Sequence, residues 1–302
     1  MQRPPFAVVY FFMRLRWLTV FVCFGATSAL AQIQIELKFP RLQYISYEPV
    51  VANLTITNLA GRDVDLHDVD GQSWFGFEVT GNGDASIAPT ANVSSEPLKI
   101  SAGKKVTRKI NLTPLFAVQN FGTYRVRAHI YFADLNKFFY SPTKVFEVTD
   151  ARPIWQKTVG VPAEGNASGN ARTYSLMTNR FPDHTSLYIR VEDKDSGIVY
   201  ATYSLGQVIA FDQPQAEFDH DNQLHVLYCA APRAWAYARI GLNGQLVSRA
   251  SFSETKTRPR LVHSDDGMVK ISGGMMNTTV NQAIRETAPK LSARPATAPK
   301  DD

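Results

Sequence analysis

The 302 residues are 44% hydrophobic and 11% aromatic, which is enough apolar surface for two packed cores and excludes a disordered chain. Thirty-two basic residues against 27 acidic ones give a formal charge of +5. Three of the basic residues fall among the first 31, and the +2 of the remainder lacks the concentrated basic face that nucleic acid requires, so that partner class is set aside.

The N-terminal stretch reads as an export signal. Arg14 and Arg16 precede an apolar run from Trp17 to Phe24, and small residues end at Ala29-Leu30-Ala31, the pattern of a signal peptide cut after Ala31. The run is far shorter than the roughly 20 residues a spanning helix needs. Met13 can serve as the start in place of Met1, since a signal beginning there needs nothing upstream. Processing removes Cys23 and leaves Cys229 alone, so no intramolecular disulfide forms. Export without a disulfide framework points to a bacterial periplasm, envelope or exterior. Acceptor tripeptides for N-glycosylation begin at Asn53, Asn92, Asn111, Asn166 and Asn277; in a bacterial setting they carry no meaning.

Residues 32–150 read as one all-β module. Ile33, Ile35 and Leu37 alternate with polar residues, Val51, Leu54 and Ile56 open a second run, and Val64 and Leu66 alternate with Asp63, Asp65 and His67. Trp74 to Val79 is bulky on both faces, as a central strand between two sheets would be. Val106, Ile110 and Leu112 lead to an alternating run from Phe121 to Ala128, and a turn at Asp134 to Lys137 returns Phe138 to Val148. With Trp74 at the core-tryptophan place, and Gly122-Thr123-Tyr124 where a tyrosine corner sits, the module resembles bacterial immunoglobulin-like sandwiches of the macroglobulin and fibronectin kind. That resemblance implies a spacer or adhesive unit and transfers no catalytic residue. The carboxylates from Asp63 to Asp70 invite a calcium reading, but they lack the loop spacing and terminal Glu, and a solvated strand face entering a turn explains them.

Residues 151–280 read as a second β-module containing an internal repeat at an offset of 37: Leu187 with Leu224, Ile189 with Val226, Tyr200 with Tyr237, Leu205 with Leu242. A partial third copy starts at Leu261. Each unit of about 40 residues reads as four short strands, resembling propeller blades. Two and a half units cannot close a ring, so a partial propeller and a sandwich of two duplicated sheets both stand, and open edges allow self-association. Ile154 to Val161 can add an outer strand through Trp155 and Val159. His184, His220 and His263 recur near Asp183, Asp219, Asp221 and Asp265, but they lie three, four and six residues before their strand anchors, which spoils a shared metal geometry. Asp193 to Gly197 reads as a hairpin turn. No metal site and no cofactor are expected.

Arg233, Trp235 and Tyr237, at and beyond the tip of the second repeat's hairpin, are the candidate ligand-binding residues, because Trp and Arg dominate binding hot spots; an ordinary edge-of-core role covers Trp235 as well and is the favoured reading of it. Residues 281–302 lose apolar character, read as a disordered tail, and carry no anchor or membrane span. The Gly-x-Ser-x-Gly, His-Glu-x-x-His, phosphate-loop and cysteine metal patterns are absent; Gly165 to Gly169 sets its Ser one position late for a nucleophile elbow. No catalytic residue is nominated. The expectation is an exported, non-catalytic protein whose immunoglobulin-like module presents a repeat-built surface to a protein or glycan of the envelope. The alternatives are a carbohydrate hydrolase or lyase with paired carboxylates, and a laterally assembling envelope component.

Overall fold

The computed structural model describes residues 32–91, 96–161, 170–209 and 212–277. The expected signal peptide, the Asn92 and Asn166 tripeptides, the last two residues of the Asn277 tripeptide, the Gly165–Gly169 loop and the expected tail lie outside them.

In the first module the chain forms β1 (Ile33–Lys38), β2 (Gln43–Ile45), β3 (Val51–Asn58), β4 (Val64–Leu66), β5 (Phe75–Thr80), β6 (Leu98–Ile100), β7 (Lys105–Asn111), β8 (Gly122–Phe132), β9 (Lys137–Tyr140) and β10 (Lys144–Thr149). A sheet ordered β1-β3-β7 faces one ordered β2-β10-β8-β5, with β9 paired to the far half of β8 and β4 paired to β6. Period-2 burial follows the sequence alternation: Ile33, Ile35 and Leu37 point inward, and Val64 and Leu66 are buried while Asp65 is exposed. Trp74, nearly inaccessible, is the largest fully buried side chain. Tyr124 O–H donates to the Asn120 carbonyl at 2.7 Å, the bond that defines a tyrosine corner. One expectation fails. The run after Trp74 is an edge strand and not a central one: among the described strands β5 ladders with β8 alone, apart from a bridge of Thr80 to Ser86 at its end, and Gly76 and Glu78 lie on the outward face.

The second module comprises β11 (Arg152–Val161), β12 (Asn170–Arg180), β13 (Thr185–Asp193), β14 (Val199–Gln207), β15 (Gln215–Phe218), β16 (Leu224–Ala231), β17 (Ala234–Ile240), β18 (Leu246–Ser253), β19 (Arg260–His263), β20 (Val269–Ser272) and β21 (Met275–Met276). Two antiparallel sheets, β11-β12-β13-β14 and β15-β16-β17-β18-β21, enclose one core, and β19 and β20 form a separate hairpin. Leu187, Ile189 and Val191 of the first sheet share that core with Leu224, Val226 and Tyr228 of the second. Equivalent residues of the repeat therefore face each other. In stacked propeller blades they would point the same way, so the module is a sandwich of two sheets.

The repeat holds in the strands carrying Leu187 and Leu224 and fails in the hairpins that follow. Ile189 pairs with Tyr203 whereas Val226 pairs with Ala238, two residues earlier than the offset requires. Tyr200 and Tyr237 are consequently not equivalent, nor are Leu205 and Leu242. The cause is local. Gly206-Gln207 continues β14 and the chain then crosses over, Val208 N–H bonding to Thr185 in one sheet and Ile209 N–H to Cys229 in the other. Gly241 to Gln245 instead closes a turn in which Gly244, at φ +77°, leaves no room for a Cβ against Ala201 and Val191. The outer strand of the first sheet is β11, which precedes its unit, and β18 has no counterpart there.

Further layers cover both outer faces. Ile45 and Ala151 pack on Met177 and Tyr188 of the first sheet, while Leu261 and Ile271 of the β19–β20 hairpin pack on Leu227, Cys229, Trp235 and Phe252 of the second.

Candidate functional site

The outward face of the five-stranded sheet departs from the polar pattern of a solvated strand. Alternation in β8 sends Tyr124, Val126, Ala128, Ile130 and Phe132 into the core, which leaves Arg125, Arg127, His129 and Tyr131 outward. The register with β9 sets His129 opposite Tyr140 and Tyr131 opposite Phe138. Cross-strand neighbours on one face lie within contact range, and the four rings form a block. Centroids are 5.1 Å apart for Tyr131–Phe138, 5.7 Å for His129–Phe138, 6.0 Å for His129–Tyr140 and 6.2 Å for Phe138–Tyr140. Tyr140 is 44% exposed.

Charged groups fix one border of this block. The Arg127 guanidinium lies 4.3 Å from the Tyr140 ring centroid, and its Nε donates to Glu78 at 2.6 Å. The other border is the start of β5. Gly76 sits opposite His129, and a Cβ there would meet His129 Nε2 at 2.5 Å, so glycine lets the imidazole lie flat on the β5 backbone. From that point a cleft of about 470 Å³ opens, lined by His129, Asp68, Ser73, Phe77 and Phe116 among others. Asp68 accepts the Trp74 amide at 2.9 Å, and Ser73 Oγ donates to the Phe75 carbonyl at 3.1 Å.

Burial pushes the His129 imidazole below its ordinary value; Arg127 pushes the same way, and Glu78 opposes both. It is therefore neutral at neutral pH and offers one donor and one acceptor. Its Nδ1 is buried without a hydrogen-bond partner among the described residues. The arrangement supplies a flat aromatic platform, a neutral imidazole beside it and a cleft continuing from it, which suits a ligand with both apolar faces and hydroxyl groups.

The candidates nominated from the sequence lie elsewhere and separate into three environments. Arg233 is exposed at the hairpin tip with φ +61°. Trp235, 4% exposed, belongs to the small core under the β19–β20 hairpin and also lines a second cleft of about 540 Å³. Tyr237 is half-buried on the same face, its hydroxyl 2.8 Å from His225 Nδ1, and His225 Nε2 is 2.9 Å from Asp219 Oδ2. Asp219 also accepts the amides of Asp221 and Gln223. Burial raises the Asp219 carboxyl, but these bonds outweigh it and hold the carboxyl below the usual aspartate range. This chain ties the β15–β16 turn to β17.

The recurring histidines do not converge. His184 lies 2.8 Å from Asp183 and stacks on Phe181, His220 is 3.1 Å from Asp221, and His263 is 3.3 Å from the Phe218 carbonyl. Among the described residues no group of three metal-ligating side chains is gathered, and no helix is long and apolar enough to cross a membrane.

His129, Tyr131, Phe138 and Tyr140 escaped the sequence reading, although a signal was present. Outward positions of an alternating strand, fixed by Tyr124, Val126 and Ala128, carry rings where polar residues are the rule. That these rings meet those of β9 depends on register, which alternation does not specify.

The fold defines an all-β protein of two sandwiches with an aromatic sheet face and two clefts. No family model matches the chain, and no curated protein matches it. Among solved structures, Spo0M, a sporulation control protein from Bacillus subtilis, is similar over 58% of this chain and 91% of its own, at 8% identity and a TM-score of 0.29. A likeness at that level carries neither fold nor function to this chain.

Proposed function

We propose that the protein is an exported, non-catalytic binding protein of a bacterial envelope that holds a glycan on the outer sheet face of its immunoglobulin-like module. The observation that supports this reading is the two-by-two block of His129, Tyr131, Phe138 and Tyr140, continuous at His129 with the cleft along β5. The apolar faces of sugar rings stack on such rings, and the cleft at His129 gives room for the rest of the sugar. The reading relocates the interaction surface from the repeat module to the first module.

Affinity electrophoresis in gels containing envelope polysaccharides tests it. The full chain is expected to be retarded, and Phe138→Ala and Tyr140→Ala are each expected to weaken retention by about tenfold, the worth of one good aromatic contact, with melting temperatures close to that of the parent. Retention of the double variant equal to the parent's rejects the site. Among the described residues these two clefts are lined by one carboxylate each, Asp68 and Asp212, whereas glycoside hydrolysis uses a pair. Turnover of the polysaccharide would replace binding with hydrolysis.

A further inference from the structure

We propose that the cleft beside Trp235 binds a carboxylate, from a small organic acid or from the uronate of an acidic sugar. This site is separate from the aromatic face and stands or falls independently of it. The cleft lies where the start of β15, the start of β17 and the segment leading into β19 meet, and its volume of about 540 Å³ is within the range of small-molecule sites.

The groups around it are biased toward donors. Trp235 is almost completely buried, yet its indole N–H has no hydrogen-bond partner among the described residues; a buried donor left unpaired is costly, and a ligand acceptor would relieve that cost. Gln215 uses its side-chain oxygen to accept the Leu261 amide at 2.8 Å, so its NH₂ is the part free to donate. Arg260 is exposed and makes no ion pair with any described residue. Arg258 sits 6.0 Å from the Trp235 ring and is shared between Glu254 at 3.4 Å and Asp212 at 4.0 Å.

The lining holds the guanidinium groups of Arg258 and Arg260 and the Asp212 carboxylate, together with an indole N–H and an amide NH₂; Arg258 is already paired with Glu254 and Asp212, which leaves Arg260 as the guanidinium without an ion pair among the described residues. The donors left unengaged are Arg260, the indole N–H and the Gln215 NH₂, and an anionic acceptor can use all three where a cation can use none. A carboxylate accepts from several of these donors at once, and charge-assisted bonds to Arg are the stronger kind. Trp235 serves as a wall and donor, Arg260 as the counter-charge, and Gln215 as an orienting group.

Calorimetric titration of the full chain with malonate, glucuronate and glucose tests the proposal. Saturable binding of malonate or glucuronate is expected, with glucose inert and affinity falling as salt rises. Trp235→Phe, which keeps a ring and removes the N–H, and Arg260→Gln are each expected to weaken binding by about tenfold. Malonate binding at least as well as glucuronate assigns the site to organic acids; tighter glucuronate binding assigns it to acidic sugars. Absence of binding by both acids, equal binding by glucose, or affinity unchanged in both variants overturns the proposal. Arg260→Gln, at an exposed position, keeps the test decisive if Trp235→Phe fails to fold. Retention on neutral polysaccharide through Tyr140 is read in a different assay, so failure of either site leaves the other standing.

Discussion

At the scale of single residues, the proposed glycan site predicts a pH dependence carried by His129. Its imidazole is held below the ordinary histidine value, chiefly by burial against the β5 backbone and the neighbouring rings. The unfolded chain therefore takes up a proton at higher pH than the folded one. Stability and glycan affinity are full above the ordinary histidine range and decline as pH falls through the folded value. Retention measured from pH 8 down to pH 5 is expected to be flat at first and then to fall, and His129→Gln is expected to flatten the lower limb. A decline of equal steepness in His129→Gln would assign the pH dependence to another group. The same residue shows how little of the site was readable in advance. The alternating run read from the sequence ended at Ala128, one residue short of it, and the space made by Gly76 and the neighbourhood of Phe138 and Tyr140 follow from pairing.

At the scale of strands and sheets, the repeat explains how the second module is held together. Leu187 and Leu224, both fully buried, occupy equivalent places and meet in one core. Truncating either leaves a cavity between two sheets whose backbones are fixed by their own ladders. Leu224→Ala is expected to cost about 3–5 kcal/mol, whereas Val247→Ala, on the exposed side of β18, is expected to stay within about 0.5 kcal/mol. Denaturant unfolding midpoints at constant slope check both. Equal costs would mean that the facing equivalents do not form the core.

Much of this element layout was legible. The alternating runs at Ile33 to Leu37 and Val64 to Leu66, the buried Trp74, the tyrosine corner at Tyr124 and the match of Leu187 with Leu224 all follow from local pattern. The choice between propeller stacking and a sandwich did not, because the offset fixes which residues are equivalent and says nothing about which faces meet. The hairpin mismatch was hidden for a related reason: Gly206 and Gly244 occupy similar motifs, yet one lets the strand run on and the other closes a turn. Pairing between distant segments, such as the parallel contact of Gln43–Ile45 with Glu147–Thr149, leaves no local trace at all.

At the scale of the whole molecule, the two sandwiches are docked by specific contacts. Ile45 and Ala151 bury against Met177 and Tyr188, Arg41 donates to the Tyr188 hydroxyl at 2.8 Å, and Arg190 donates to the Ser46 carbonyl at 2.7 Å. The first module thus covers the outer face of the second module's first sheet, as the β19–β20 hairpin covers part of the other. The long edge strand β11 carries Pro153, Lys157 and a register break between Pro153 and Trp155, features that disfavour edge pairing with another chain. The aromatic block of the first module and the Trp235 cleft of the second are thereby held on one framework.

Hydrogen–deuterium exchange of the full chain, with and without a polysaccharide that retards it, tests the placement of the glycan most directly. Protection is expected in β8 and β9, from Arg127 to Tyr140, and along the β5 edge at Gly76, with β16 and β17 unchanged. Protection confined to the second module, leaving 127–140 as fast as in the free protein, would contradict the account.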